Sequence, residues 1–502
     1  MANNKFLHTS SSAEQSTATS NNAPAPPPAN GPVADPIAPL IVVPDAALTP
    51  IDVARDIAIE ANKRGDESAF YVMDGNELVS QFSRWRRALP RVTPFYAVKC
   101  NNDPMLLRLL AALGLGFDCA SKCEIQKVMG GLGVSADRIV YANPCKTRSH
   151  IRHAAACGVR LMTYDNADEL IKIRQLHPHA ELLLRIAVSD KSAQCPLNIK
   201  FGCEPVEQAD MLLSLAAQLS LNVVGIAFHI GSGAQDASAW VEGIRHARRL
   251  FDVGNQLGHS MRTLDIGGGF MGVQQPGVLL FEDAAAQINS ALERHFPESA
   301  EQRQVRVIAE PGRFFACTAF TLCCSVIAKC TVPASRITQN DANENEPGQM
   351  YYINDGVYGS FNCILFDHQA IRTPQQLFES ASATAECWWS SLWGPTCDGL
   401  DCVLERCRLP LLRVQEWLYF ESMGAYTIAA GTTFNGFPQP PVHYYIGQHN
   451  LQQLLAARSA GAISNITTVH LDARATVADA EAEPSSEESD LSAASDVCEV
   501  LA

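Results

Sequence analysis

The sequence predicts an α/β fold: a closed (β/α)8 barrel of the TIM type, joined to a second, mostly β domain (a β-barrel or sandwich) and flanked by disordered termini. Three observations carry this. Eight short apolar runs alternate with segments whose apolar residues recur at helical spacing. Residues able to do chemistry fall at the C-terminal ends of those runs, and glycine-rich turns follow the last two. The runs are 94–99, 116–120, 138–144, 161–165, 182–187, 223–230, 263–270 and 305–310; the helical segments include 104–113, 168–176, 207–219, 240–257 and 281–296. Lys99, Asp118, Asn143, Asp165, Arg185, His229, Gly267 to Gly269 and Glu310 all stand at strand ends. A doubly wound open sheet is the competing arrangement, but it gathers ligands at its switch point. A closed barrel brings every strand end to one mouth.

The other segments follow in chain order. Residues 1–40 are rich in Ser, Ala, Asn and Pro, with Lys5 their only Lys or Arg; they cannot bury enough surface to order themselves and make a poor organelle presequence. Residues 41–89 read as a lead-in contributing strands to the β domain, with 69–73 the candidate strand. The barrel spans 90–312 and the β domain 313–450, with strand-like runs at 320–327, 350–353, 417–420 and 442–446 and a polar, disordered loop at 338–349. Residues 451–502 form an extension ending in an acidic disordered tail.

Composition excludes several classes. A net charge of -15 argues against nucleic acid or an anionic membrane surface as the main partner. Eight acids and no base lie in 475–502, so the rest of the chain carries only -7. No apolar run is long enough to span a bilayer. Seventeen cysteines are scattered without a secretory signal or a Cys-x-x-Cys pair, which reads as reduced thiols of a cytoplasmic protein, with no metal site.

At a barrel mouth, Lys99 can condense with a carbonyl, including the aldehyde of pyridoxal 5'-phosphate, and that cofactor needs three kinds of support. Gly267-Gly268-Gly269 and Gly312-Arg313 offer backbone donors and a cation for its phosphate. Glu310 can keep the pyridine nitrogen protonated. His229 can stack on the ring while Ser232 reaches the phosphate. Alone, each has a plainer reading: Lys99 a solvated charge, Glu310 a capping or ion-pairing carboxylate, His229 a core histidine, the glycines tight turns.

Taken together, the motifs 94–101 (Pro-Phe-Tyr-Ala-Val-Lys-Cys-Asn), 117–121, His229-Ile230-Gly231-Ser232-Gly233, 267–270, Glu310-Pro311-Gly312-Arg313, 354–362, 393–398 and 434–437 closely resemble the eukaryotic ornithine decarboxylases, an alanine-racemase-like group of pyridoxal-phosphate enzymes. The resemblance covers about 70–445. It implies that Lys99 carries the cofactor, with Asp118, Arg185, His229, Ser232, Gly267 to Gly269, Glu310, Pro311, Gly312, Arg313 and Tyr426 around it. It implies a homodimer with shared sites and decarboxylation of L-ornithine to putrescine, with Cys397 and Asp398 entering the partner's site. Cys397 is then the proton donor, and Asp398, Asp367, Phe366 and Phe434 meet the substrate. Paired acids suit a distal ammonium that must be desolvated yet stay charged. Phe366 stands where the family more often has tyrosine, which bears on ornithine against lysine, since one methylene is worth only about 1–3 kcal/mol of discrimination.

Three alternatives stand beside this reading. A diaminopimelate decarboxylase would need a cation where Cys397-Asp398 offers an acid, and a racemase of this fold places arginine where Glu310 stands. A catalytically inactive homologue that binds antizyme is the third, and retention of Lys99, Asp118, His229, Cys397 and Asp398 weighs against it. Residues 138–179 resemble the part of the family that antizyme binds.

Overall fold

The computed structural model describes residues 37–44, 48–188, 199–234, 236–273, 279–298, 305–378, 386–456, 460–463 and 466–470. The expected disorder of 1–36 and of the acidic tail lies outside them. Residues 37–40 are described, and Leu40 already belongs to a strand.

Two strands precede the barrel, β1 (Leu40–Val43) and β2 (Phe70–Asp74). The barrel strands are β3 (Val92–Ala97), β4 (Gly116–Cys119), β5 (Ile139–Tyr141), β6 (Leu161–Tyr164), β7 (Glu181–Ile186), β8 (Asn222–Phe228), β9 (Thr263–Asp265) and β10 (Arg306–Ala309). All eight predicted runs are present, every pairing is parallel, and β10 returns to β3 to close the ring. The strands end one to five residues earlier than predicted, most of all at β9, because the chain turns out of the ladder where the chemistry begins. Lys99 lies in a 3-10 turn, Val98–Cys100, just past β3.

β5 and β6 share a single register pair, Tyr141 with Met162. Their ends are held instead by Lys146, whose fully buried ammonium donates to Asn143 O at 3.0 Å and Thr163 O at 2.6 Å and pairs with Glu169 at 2.9 Å. Burial opposes the Lys146 charge and lowers its pKa, while Glu169 restores much of what desolvation removes. A cation thus bridges carbonyls that a longer ladder would have paired.

The second domain is mostly β, as expected, and its ten strands are linked by hydrogen bonds into one sheet. Its strands are β1, β2, β11 (Phe320–Pro333), β12 (Pro347–Ile353), β13 (Gln375–Gln376), β14 (Cys387–Trp393), β15 (Cys402–Pro410), β16 (Trp417–Phe420), β17 (Val442–Gly447) and β18 (Thr468–His470). The fourteen-residue β11 makes this possible, pairing with β2 and β16 through its first half and with β12 through its second. The stretch 338–349 is structured, in correction of the expected disorder. The Asn340 side chain accepts from Ala342 N at 3.1 Å to start a 3-10 turn, Asp341–Asn343, and β12 begins at Pro347.

Two helices in 41–89 escaped the periodicity reading. Pro50–Arg64 starts with a capping box between Thr49 and Asp52 and stops at Gly65 in the left-handed region, φ 69°. Gly75–Ala88 buries Trp85 among Phe270, Phe281, Phe314 and Phe315, and the indole N–H donates to Val92 O at 2.9 Å. This aromatic seam joins the lead-in to the last two barrel units.

Inside the barrel, Gly225 of β8 lies so close to β9 that a Cβ would stand 1.7 Å from Thr263 O. Gly225→Ala should therefore force the two strands apart and cost about 1–3 kcal/mol, read as a lowered midpoint of thermal unfolding. An unchanged midpoint would show that the ring can widen freely.

Candidate active site

The barrel mouth collects side chains from the ends of six strands. Lys99 Nζ donates to Asp118 Oδ2, and the Asp118 side chain is fully buried. Burial opposes the Lys99 charge, but Asp118 and then Glu310 outweigh it and hold the ammonium's pKa above the usual lysine value. Asp118 Oδ1 and Asp265 Oδ2 are buried without a hydrogen-bond partner among the described residues. Glu310 stands beside Asp265, and burial pushes both carboxyls up; the charges of Asp265 and Asp118 add to the rise at Glu310, and Asp118 adds to the rise at Asp265, which the Gly267 N–H and the Glu310 side chain oppose. Arg185, buried on β7 with its guanidinium 5.1 Å from the Phe201 ring, draws both back down.

His229 follows β8. Its Nδ1 accepts from Gly231 N–H at 3.0 Å, so the proton of the neutral ring sits on Nε2. Burial, then Arg185 and Lys99, push its pKa well down, and the ring is neutral. Gly268 is required beneath it: a Cβ there would stand 2.7 Å from His229 Nε2. Gly267, at φ 65°, is held from both sides, its N–H donating to Asp265 Oδ1 at 2.9 Å and its carbonyl accepting from Glu310 N at 2.7 Å.

A second group lies at the end of β10. Ala97 N donates to Pro311 O at 3.2 Å, and Gly312 passes so near Cys100 that a Cβ would meet its Cβ at 2.8 Å. Arg313 donates to Ser232 Oγ through Nη2 at 3.1 Å and Nε at 3.3 Å, and lies 5.2 Å from the Tyr426 ring. Its other partner is Asp367, and that carboxylate, against the opposing effect of burial, holds the guanidinium charge fast. Tyr426, at φ 57°, is tied in by its N–H to Cys100 O at 2.9 Å. Phe366, beside Asp367, is 71% exposed.

The remaining candidates form a third group, on the β domain. Asp398 accepts from the Tyr358 hydroxyl and from Leu400 N, and the Tyr358 bond pulls the carboxyl's pKa down while raising the phenol's. Tyr358 stacks on Phe434 with centroids 4.4 Å apart, and Cys397 N donates to Asn435 Oδ1 at 3.2 Å. Cys397 and Phe434 are exposed. Among the described residues no hydrogen bond or ion pair joins this group to Lys99.

Three residues of these networks had not been singled out from sequence. Asp265 sits two places before the glycine triplet, Tyr358 inside the 354–362 motif, and Asn435 inside 434–437; each was readable as a motif neighbour but not as a contact. No group of three or more His, Cys, Asp or Glu among the described residues is placed to hold a metal.

Residues 76–317 match the family model "Pyridoxal-dependent decarboxylase, pyridoxal binding domain". The ornithine decarboxylase of Caenorhabditis elegans is 50% identical over 399 residues, covering 79% of this chain and 92% of that one. Antizyme inhibitor 2 of Xenopus laevis is 48% identical, covering 78% and 84%. Among solved structures, the arginine decarboxylase of Paramecium bursaria Chlorella virus bound to agmatine superposes with a TM-score of 0.71 at 36% identity, over 79% of this chain and 100% of that one. With half of its aligned residues shared over nearly the whole length of such a relative, the chain belongs to the pyridoxal-dependent ornithine decarboxylase family.

Proposed function

We propose that this protein decarboxylates L-ornithine to putrescine and carbon dioxide with pyridoxal 5'-phosphate as cofactor. The observation that carries the reading is the Lys99 ammonium held on Asp118 at a barrel mouth that also presents Glu310, His229 and Arg313. The residues fit the cofactor: among the described residues Asp118 Oδ1 is buried without a hydrogen-bond partner and Asp265 Oδ2 without a donor, and at Gly268 any side chain would strike His229. When bound, pyridoxal phosphate supplies a carbonyl that takes an amine and a ring that receives the electron pair left on the α-carbon as carbon dioxide departs.

In this reading Lys99 would hold the cofactor through its carbonyl, with Asp118 orienting the Lys99 amine. Arg313, with Ser232, Gly269, Gly312 and Tyr426 around it, holds the phosphate. Neutral His229 would support the ring without adding charge, and Glu310 would serve the ring nitrogen. Cys397 Sγ gives a proton to the α-carbon. Asp398 and Asp367 receive the substrate's distal ammonium, Phe366 and Phe434 close round its chain, and Tyr358 keeps Asp398 ionised and aimed.

Cys397 and Asp398 would reach a Lys99 of a second copy. The support is the organised but exposed Cys397, Asp398 and Phe434 group, rimmed by apolar Phe366, Leu400 and Phe437 at 71%, 70% and 40% exposure. Such a rim on a soluble surface marks an interface. The segment 138–179, on the barrel's outer ring with helices Arg148–Ala156 and Ala167–Leu176, is the surface we assign to antizyme. A cytosolic location rests on the cysteines, among which no disulfide joins two described residues; no described helix is long and apolar enough to cross a membrane.

The reading is tested by carbon dioxide release from L-ornithine, L-lysine, L-arginine and meso-diaminopimelate with added cofactor. Release chiefly from ornithine, abolished in Lys99→Ala, is expected; cofactor binding without release from any of them would favour a regulatory homologue akin to antizyme inhibitor 2.

Shared sites make a second prediction. Lys99→Ala and Cys397→Ala subunits, each nearly inactive, should regain about a quarter of wild-type activity when mixed in equal amounts, because half the dimers are mixed and each rebuilds one intact site. No recovery after verified subunit exchange would place both residues in one chain's own site.

A further inference from the structure

Asp265 is fully buried at the end of β9, and none of the roles assigned above uses it. Its Oδ1 accepts from Gly267 N–H at 2.9 Å; its Oδ2 meets no N–H or hydroxyl donor among the described residues, and the Glu310 carboxyl lies against the Asp265 carboxyl. Glu310 N donates to Gly267 O at 2.7 Å, so Asp265 and Glu310 grip the same residue from opposite ends of its peptide units and bring their carboxyls together. We propose that Asp265 is a positioning residue for the cofactor, acting on it through Gly267 and through the carboxyl of Glu310.

The argument is one of charge as much as of geometry. Three buried carboxyls, Asp118, Asp265 and Glu310, face two cations, Lys99 and Arg185, while His229 is neutral. Asp118 is committed to Lys99. Two carboxyls side by side in a buried site cannot both ionise at modest cost, so Asp265 and Glu310 hold one proton between them and titrate as a pair. A basic ring nitrogen arriving at Glu310 takes up that proton and leaves a positive ring facing two carboxylates. No proton need then be drawn from water at that point, and the ring's charge is secured by two carboxylates where Glu310 alone would supply one.

The inference rests on the proposed cofactor site, and its test separates the two. In Asp265→Asn the amide oxygen still accepts from Gly267, but its NH2 donates to Glu310, which becomes a lone carboxylate holding no proton. Calorimetric titration with pyridoxal phosphate in buffers of different ionisation enthalpy reads the protons taken up per site. Asp265→Asn is expected to take up about one proton more than the wild type near neutral pH and to bind more weakly. The wild type alone supplies an independent readout should the variant fail to fold. Its free pair loses the shared proton as pH rises through the pair's raised pKa, whereas the complex keeps it on the ring. Its uptake should therefore climb by about one proton between about pH 6 and pH 9 beyond what is seen in Glu310→Gln. Equal uptake and affinity in wild type and Asp265→Asn, or no extra rise over Glu310→Gln, overturns the role of Asp265. Failure of the wild type to bind pyridoxal phosphate would instead overturn the cofactor site itself.

Discussion

Everything at the barrel mouth depends on keeping the Lys99 ammonium charged and aimed in a setting that disfavours charge. Desolvation works against the cation, and Asp118 with Glu310 reverses the outcome. These groups come from β4 and from the turns after β3 and β10, and β3 neighbours both other strands only because the ring is closed. In an open sheet one of those contacts would be lost. Closure is therefore the condition for the site's electrostatics as well as for its shape.

Closure imposes its own demands, which the glycines meet in distinct ways. Gly225 lets β8 and β9 approach within the ring; Gly267 adopts a left-handed turn and is gripped by the two acids; Gly268 leaves room for His229. The first is a packing constraint, the second a backbone one and the third chemical. A loop of larger residues could satisfy none of them, so the glycine triplet follows from where the carboxyls and the imidazole must stand.

The barrel was legible because its signal is repeated: eight apolar runs, each followed by a polar or glycine-bearing turn, leave few alternatives. The helix Pro50–Arg64 was equally marked by its Thr49 and Asp52 box, by Gly65 and by Val53, Ala54, Ile57, Ala58 and Ala61 at helical spacing, but three of those five are alanines, which give a weak apolar signal. Strands Cys387–Trp393 and Cys402–Pro410 stayed hidden because they pair at a sheet edge through irregular registers, with bulges that break the alternation. At the site, each catalytic candidate announced itself by residue type and motif. What sequence could not express was pairing: that Arg313 would take Asp367 as well as Ser232, that Tyr358 would hold Asp398, and that Asp265 would stand with Glu310. Those are contacts between strand ends and loops far apart in the chain: the closed ring brings Asp265 to Glu310, whereas the loops of the β domain bring Tyr358 to Asp398 and Asp367 to Arg313.

The two domains divide the labour unequally. The barrel supplies a lysine, a neutral imidazole and a set of buried charges, and in the proposed reaction the proton for carbon is assigned to the other domain. The β domain supplies Cys397 and Asp398, and it builds them rigidly. Asp401, buried behind them, accepts from Val357 N at 2.8 Å, Thr396 N at 2.9 Å and Thr396 Oγ1 at 2.6 Å, binding the loop that bears Cys397 to the loop that bears Tyr358. Thr432 N and Oγ1 both donate to Tyr358 O, each at 2.9 Å, which draws in the loop bearing Phe434. Three loops are thus locked together to display a thiol and a carboxylate outward, away from any cation of their own group. Ordering a surface so completely has a conformational cost with no return inside one chain. It is intelligible if another surface, with a lysine at its centre, is there to receive it.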